Sequence, residues 1–129
     1  MQMWLKFTQF SGLIILLCGL LIGCTQPSEP SPTPEQRVDV ESGAFMFDHT
    51  CAPCHGRSGQ GIPNLGKDLT SSQFVQQLND EELVDFIIEG RSVNDPANTT
   101  GIAMPPKGDN PALSPAQIRD VVAYLRTFP

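Results

Sequence analysis

Cys51-Ala52-Pro53-Cys54-His55 decides how this chain is read. Two thiols separated by two residues and followed at once by an imidazole form the pattern of covalent haem attachment. The spacing has a chemical reason. Thiols placed this way reach the two vinyl groups on one edge of a porphyrin, and the histidine that follows then lies under the iron as an axial ligand. Three other uses of such a cluster fit less well. A redox-active cysteine pair belongs in a βαβ context, a structural zinc site wants four ligands, and a disulfide between Cys51 and Cys54 would be a side product of the protein without haem.

Upstream, Val40, Ala44 and Phe47 recur at helical spacing, which predicts one helix from Val38 to Thr50 leading into the cysteine pair. Gly43 lies inside it, where glycine costs about 1 kcal/mol relative to alanine, so the expected return is close approach of another backbone. Downstream, Asn79-Asp80-Glu81-Glu82 before Leu83-Val84-Asp85-Phe86-Ile87-Ile88 supplies an N-cap and an acidic first turn, with Gly90 as the stop. Phe74 to Leu78 adds a short turn. Ser114-Pro115-Ala116-Gln117 is a capping box with proline at the first helical position, followed by Ile118, Val121, Val122 and Leu125 on one face. No strand pattern or internal repeat is present, and the expected class is all-α. The 23 residues from Arg91 to Leu113 have no periodicity, and a loop of that length inside a compact domain is usually functional.

The second axial ligand follows by elimination, because strong protein ligands to haem iron are mainly His, Met, Cys and Tyr. His49 and Met46 lie on the helix that approaches the ring, and Tyr124 sits on an amphipathic helix, where packing is its expected role. Met104 remains. It stands in Thr99-Thr100-Gly101-Ile102-Ala103-Met104-Pro105-Pro106, 49 residues after His55, and the two prolines stiffen the segment that carries its sulfur.

The N-terminal part has a different character. After Lys6 comes the apolar run Phe10 to Gly23, 14 residues long, short of the ~20 needed to span a bilayer as a helix. It has the character of an export signal. Leu21-Ile22-Gly23-Cys24 resembles the lipobox of bacterial lipoproteins, which implies acylation of Cys24 after removal of residues 1–23. Cys18 is a poorer candidate because bulky Leu17 precedes it. Residues 24–37 carry prolines 27, 30, 32 and 34 and form the expected tether; as polyproline II a dozen residues reach roughly 35 Å. The domain proper is expected over residues 38–129.

The chain carries a formal net charge of −6, which argues against nucleic acid as a partner. With only Cys51 and Cys54 in the folded region, no disulfide framework can be built.

Taken together, Gly43 and Phe47 before Cys51, the Cys-x-x-Cys-His itself, Gly59-Gln60-Gly61, Met104-Pro105 and Val122-Ala123-Tyr124-Leu125 resemble the class I c-type cytochromes over Val38 to Pro129. That resemblance implies three main helices with long loops around one covalent haem c, with His55 and Met104 as axial ligands. It also implies that the first and last helices cross at Gly43 and Tyr124. In the family a proline carbonyl accepts the proximal imidazole N–H, and Pro63 is the candidate here; Arg91 is a candidate partner for a haem propionate or a solvated charge at the helix end. The haem edge would be exposed beside Ala52 to Gly56 and Met104 to Gly108, flanked by Arg57 and Lys107. The acids Asp80, Glu81, Glu82, Asp85 and Glu89 gather on the middle helix.

With both axial positions filled, no open site remains for a small-molecule substrate. The expectation is therefore a one-electron carrier, not an enzyme, lipid-anchored on the extracytoplasmic (periplasmic) side of a bacterial membrane. Its expected partners are redox proteins with a basic docking patch. Two alternatives stand beside it: a fixed subunit of a respiratory or photosynthetic complex, and a peroxidase-type enzyme, whose families usually carry two haem motifs where this chain has one.

Overall fold

The structure is a computed structural model in which residues 37–129 are described. The apolar run, Cys18, Cys24 and the prolines of the tether lie outside that range.

The described chain opens with α1, Val40–Met46, capped by the Asp39 carboxylate, which accepts from the backbone N–H groups of Glu41 and Ser42. The next five residues, Phe47–Cys51, form a π-helical turn in which the Ala52 N–H reaches the Phe47 carbonyl, and α2, Ala52–His55, follows without a break. A helix into the cysteines was expected, but its last turn is wider than an α-helical one. The buried stripe also differs from the expected one: Gly43 and Phe47 point inward, whereas Val40 is exposed.

Helix α3, Gln73–Gln77, is capped by Ser72. Helix α4, Asp80–Glu89, has both halves of the Asn79–Glu82 capping box and stops at Gly90; α5, Pro115–Leu125, has both halves of the Ser114–Gln117 box. These agree with the sequence reading because caps are local chemistry. A short tight turn, Pro106–Asp109, interrupts the long loop. Among the described residues the only extended pairings are two isolated bridges, Ile62 with Gly66 and Arg91 with Met104.

Helix α5 is the central element. Its buried residues Ile118, Val121, Val122 and Leu125 meet α1 on one side and α4 on the other, and burial of each such side chain is worth about 1.5–3 kcal/mol. Gly43 explains the contact with α1: a methyl there would overlap the Asp120 carbonyl and the Val121 backbone, so the two helices pass backbone to backbone. The crossing is thus one turn earlier on α5 than Tyr124. Tyr124 packs instead on Phe47 and Phe128, with ring centroids 5.4 and 5.2 Å away, and Phe128 stands 5.5 Å from Phe47.

Candidate functional site

The π-turn and α2 deliver Cys51, Cys54 and His55 to one wall of a cavity of about 1030 Å³, and the long loop delivers Met104 to the same cavity. All four residues singled out in the sequence therefore come together. Cys24 lies outside the described residues.

His55 is oriented from behind. Its Nδ1–H donates to the Lys67 carbonyl at 2.8 Å. A carbonyl can only accept, so the proton sits on Nδ1, and Nε2 keeps its lone pair for a metal; carbonyl partners of this kind commonly set the tautomer of a ligating histidine. The acceptor is Lys67, not Pro63. The reason lies in the fold of the loop: the Gly66 backbone rests against the Cys54 carbonyl with no room for a side chain, and this brings the next carbonyl under the imidazole.

Met104 is held through its backbone. Its N–H donates to the Arg91 carbonyl at 2.9 Å and its carbonyl accepts from the Arg91 N–H at 2.7 Å. Gly90 makes that pairing possible. Its φ of 71° turns the chain out of α4, and a side chain there would collide with Met104, Pro105 and Pro106. The glycine read as a helix stop is also the seat of the methionine segment.

Arg91 is not a solvated charge. Its guanidinium lies 4.5 Å from the Phe74 ring centroid and 4.7 Å from that of Phe86, within cation–π range. Asp95 lies 3.5 Å from Nε. Among the described residues Nε is the one buried side-chain nitrogen or oxygen without a hydrogen-bond partner, and the residue lines the cavity.

The remaining wall is largely apolar, with Leu69, Val75, Leu83 and Ile87 facing inward. Burial, reinforced by the neighbouring Cys54, pushes the Cys51 thiol up to about 11. Redox-active cysteine pairs work through a lowered thiol pKa, so a thioredoxin-like role does not fit. Zinc fares no better, since among the described residues no group of three or more His, Cys, Asp or Glu could hold a metal ion. A haem fits. The cavity is at the upper end of the ~300–1,000 Å³ usual for cofactor sites, and it presents two thiols, an imidazole lone pair, a thioether and the half-buried Arg91 cation, suited to an acidic group.

His49 also borders the cavity, but it is exposed, its Nδ1–H donates to the Phe45 carbonyl at 2.8 Å, and its ring lies 4.2 Å from that of Phe45. Met46 is packed against the core. Lys107, expected at the surface, is half-buried and donates to the Leu113 carbonyl at 2.8 Å. The sequence reading missed the Lys67 carbonyl, which carries no residue-type signal, and the packing of Arg91 against the paired rings of Phe74 and Phe86.

The family model for cytochrome c oxidase, cbb3-type, subunit III, matches residues 38–125. The chain belongs to this family of c-type cytochromes. It is 34% identical over 96 residues to a cbb3-type cytochrome c oxidase subunit, FixP, of Sinorhizobium medicae, covering 72% of this chain and 31% of that protein. It is 31% identical over 88 residues to cytochrome c-555 of Chlorobaculum thiosulfatiphilum, covering 67% of this chain and 93% of the relative. A cytochrome bc1 complex cytochrome c subunit of Mycobacterium bovis is 30% identical over 125 residues, covering 92% of this chain and 41% of the relative. The cytochrome thus spans less than half the length of the two complex subunits and nearly all of the c-555. Membership in the family implies covalently bound haem c.

Proposed function

We propose that the chain is a lipid-anchored, monohaem cytochrome that carries one electron at a time between redox proteins on the extracytoplasmic side of a membrane. The observation that carries this reading is the convergence of Cys51, Cys54, His55 and Met104 on one apolar cavity. In this assignment Cys51 and Cys54 would hold the haem covalently through their sulfurs. His55 would offer Nε2 and Met104 its sulfur to the iron, and Arg91 would pair with an acidic group of the haem. When bound, the haem supplies the Fe(III)/Fe(II) couple.

The protein's own part is to hold and tune. Lys67 fixes the imidazole tautomer through its carbonyl, and the Arg91 bridge fixes the methionine backbone. The largely apolar inner wall, with Leu69, Val75, Leu83 and Ile87, disfavours water beside the group it would hold. A thioether ligand would raise the reduction potential relative to a second histidine, and with His55 and Met104 both bound to the iron the protein would transfer electrons without turning over a substrate of its own.

The anchor rests on the sequence: Leu21-Ile22-Gly23-Cys24 places a lipid-accepting cysteine ahead of a proline-spaced tether. Several acyl chains on one cysteine would give stable attachment where a single chain is marginal.

Replacing Cys51 and Cys54 together by serine should abolish haem retention after acid–acetone extraction; haem that survives this treatment in the double variant overturns the attachment. Cys24→Ser should release the protein from membranes without altering its visible spectrum, and a variant that stays bound to membranes overturns the anchor. A fixed place in a larger complex is the second reading, favoured by the names of the oxidase and bc1 relatives. Stable co-purification with a membrane complex after mild detergent extraction would select it over the shuttle.

A further inference from the structure

The segment after Met104 contains the strongest departure from ordinary backbone conformation among the described residues. Lys107, Gly108 and Asp109 follow one another with φ of 55°, 64° and 68°, and ψ is 26° and 30° at the first two. This is a turn of left-handed helix, unfavourable for any residue with a Cβ. Glycine is at ease there, and aspartate tolerates it through its short polar side chain. Lysine has neither excuse.

What lysine has is an ammonium group. Nζ donates to the Leu113 carbonyl at 2.8 Å and lies 3.4 Å from the Pro111 carbonyl, bridging the turn to the segment that enters α5. The turn is tied at two further points. The Gly108 N–H donates to the Pro105 carbonyl at 3.0 Å, and Asn110 Nδ2 donates to Thr50 Oγ1 at 3.3 Å. Thr50 immediately precedes Cys51. The strained turn therefore spans from the methionine segment to the cysteine segment, with Lys107 as its clamp.

We propose that Lys107 is a positioning residue for the Met104 sulfur: its ammonium holds the left-handed turn closed, and the turn keeps Pro105 and Met104 seated against Gly90 and Arg91. Lys107 acts through this turn and touches none of the reacting groups. The inference rests on Met104 being an axial ligand. If the backbone shape alone mattered, glycine would serve better at 107. The presence of lysine in a conformation costly to it points to the two carbonyls it joins.

The test uses the ferric holoprotein of the full chain with the variants Lys107→Ala, Lys107→Gly and Lys107→Arg. The readouts are the sulfur-to-ferric charge-transfer absorption and the affinity for imidazole, which competes with the thioether for the iron. Lys107→Ala should bind imidazole about tenfold more tightly, a change of about 1.4 kcal/mol, with a weakened charge-transfer band. Lys107→Gly, which relieves the strain but restores no clamp, should lie between alanine and the unmutated protein. Lys107→Arg should recover most of the band. Unchanged band and imidazole affinity in Lys107→Ala overturn the inference; if that variant does not fold, unchanged values in Lys107→Gly do so. Absence of the band from the unmutated holoprotein is a different failure: it overturns Met104 ligation, and this inference goes with it.

Discussion

His55 depends on a carbonyl, and that carbonyl depends on Asp68. The Asp68 carboxylate accepts from the hydroxyls of Thr70 and Ser71 at 2.6 and 2.9 Å and from the Thr70 N–H at 2.7 Å, fixing the turn that follows Lys67. The Thr70 hydroxyl first and the Ser71 hydroxyl second hold the Asp68 carboxyl down at about 2. An unfolded aspartate titrates near ~3.9. Because the folded value is the lower one, the contribution is fully present above that range and is lost as pH falls through about 2. Asp68→Ala should therefore lower the melting temperature of the holoprotein at pH 5 and make its decline between pH 4 and pH 2 shallower than in the unmutated protein. Circular dichroism melts across that range check it, and parallel curves for the two proteins would contradict it. The group is exposed, so the change should be modest in size.

Among elements, the α1–α5 crossing is the joint on which the site hangs, since α1 runs through the π-turn into Cys51 and His55. Gly43→Ala would drive a methyl into the Asp120 carbonyl. Overpacking of this kind costs typically about 1–3 kcal/mol, and the expected result is a lower denaturant midpoint at unchanged m-value, the mark of lost stability with the unfolding reaction otherwise intact. A midpoint equal to that of the unmutated protein would show that the helices can part without cost. A second joint, absent from the sequence reading, is Arg126. Its guanidinium donates to the carbonyls of Val75 and Leu78 at 2.7 and 2.6 Å and to Asp80 at 2.9 Å, tying the end of α5 to the passage from α3 into α4.

For the whole molecule, charge is unevenly committed. Of the five acids on α4, Asp80 is paired with Arg126 and Glu82 accepts from the Asn79 N–H in the capping box. Glu81, Asp85 and Glu89 are exposed and spaced four apart, so they form one stripe along the helix. If this stripe steers a basic partner, the bimolecular electron-transfer rate with that partner should fall as salt rises, because the Debye length is only ~8 Å at physiological ionic strength. Charge reversal at Glu81, Asp85 and Glu89 should flatten the slope and leave the thermal stability nearly unchanged, whereas reversal at Glu82 would also break a cap. Stopped-flow rates across a salt series check this, and an unmutated protein indifferent to salt would exclude steering.

What the sequence determined by itself was local. The caps at Asn79 and Ser114, the stop at Gly90 and the amphipathic face of α5 were legible because each is settled by side chains within a turn of the backbone they satisfy. The same holds for Cys51, Cys54 and His55, whose spacing is their chemistry, and Met104 could be singled out because so few other ligand types were present. The tertiary structure decided the rest. The Lys67 carbonyl under His55, Arg91 against the paired rings of Phe74 and Phe86 and the π-turn before Cys51 depend on which backbone segments come to lie side by side. A carbonyl looks the same at every position in a sequence. Only packing chooses the one that meets the ring.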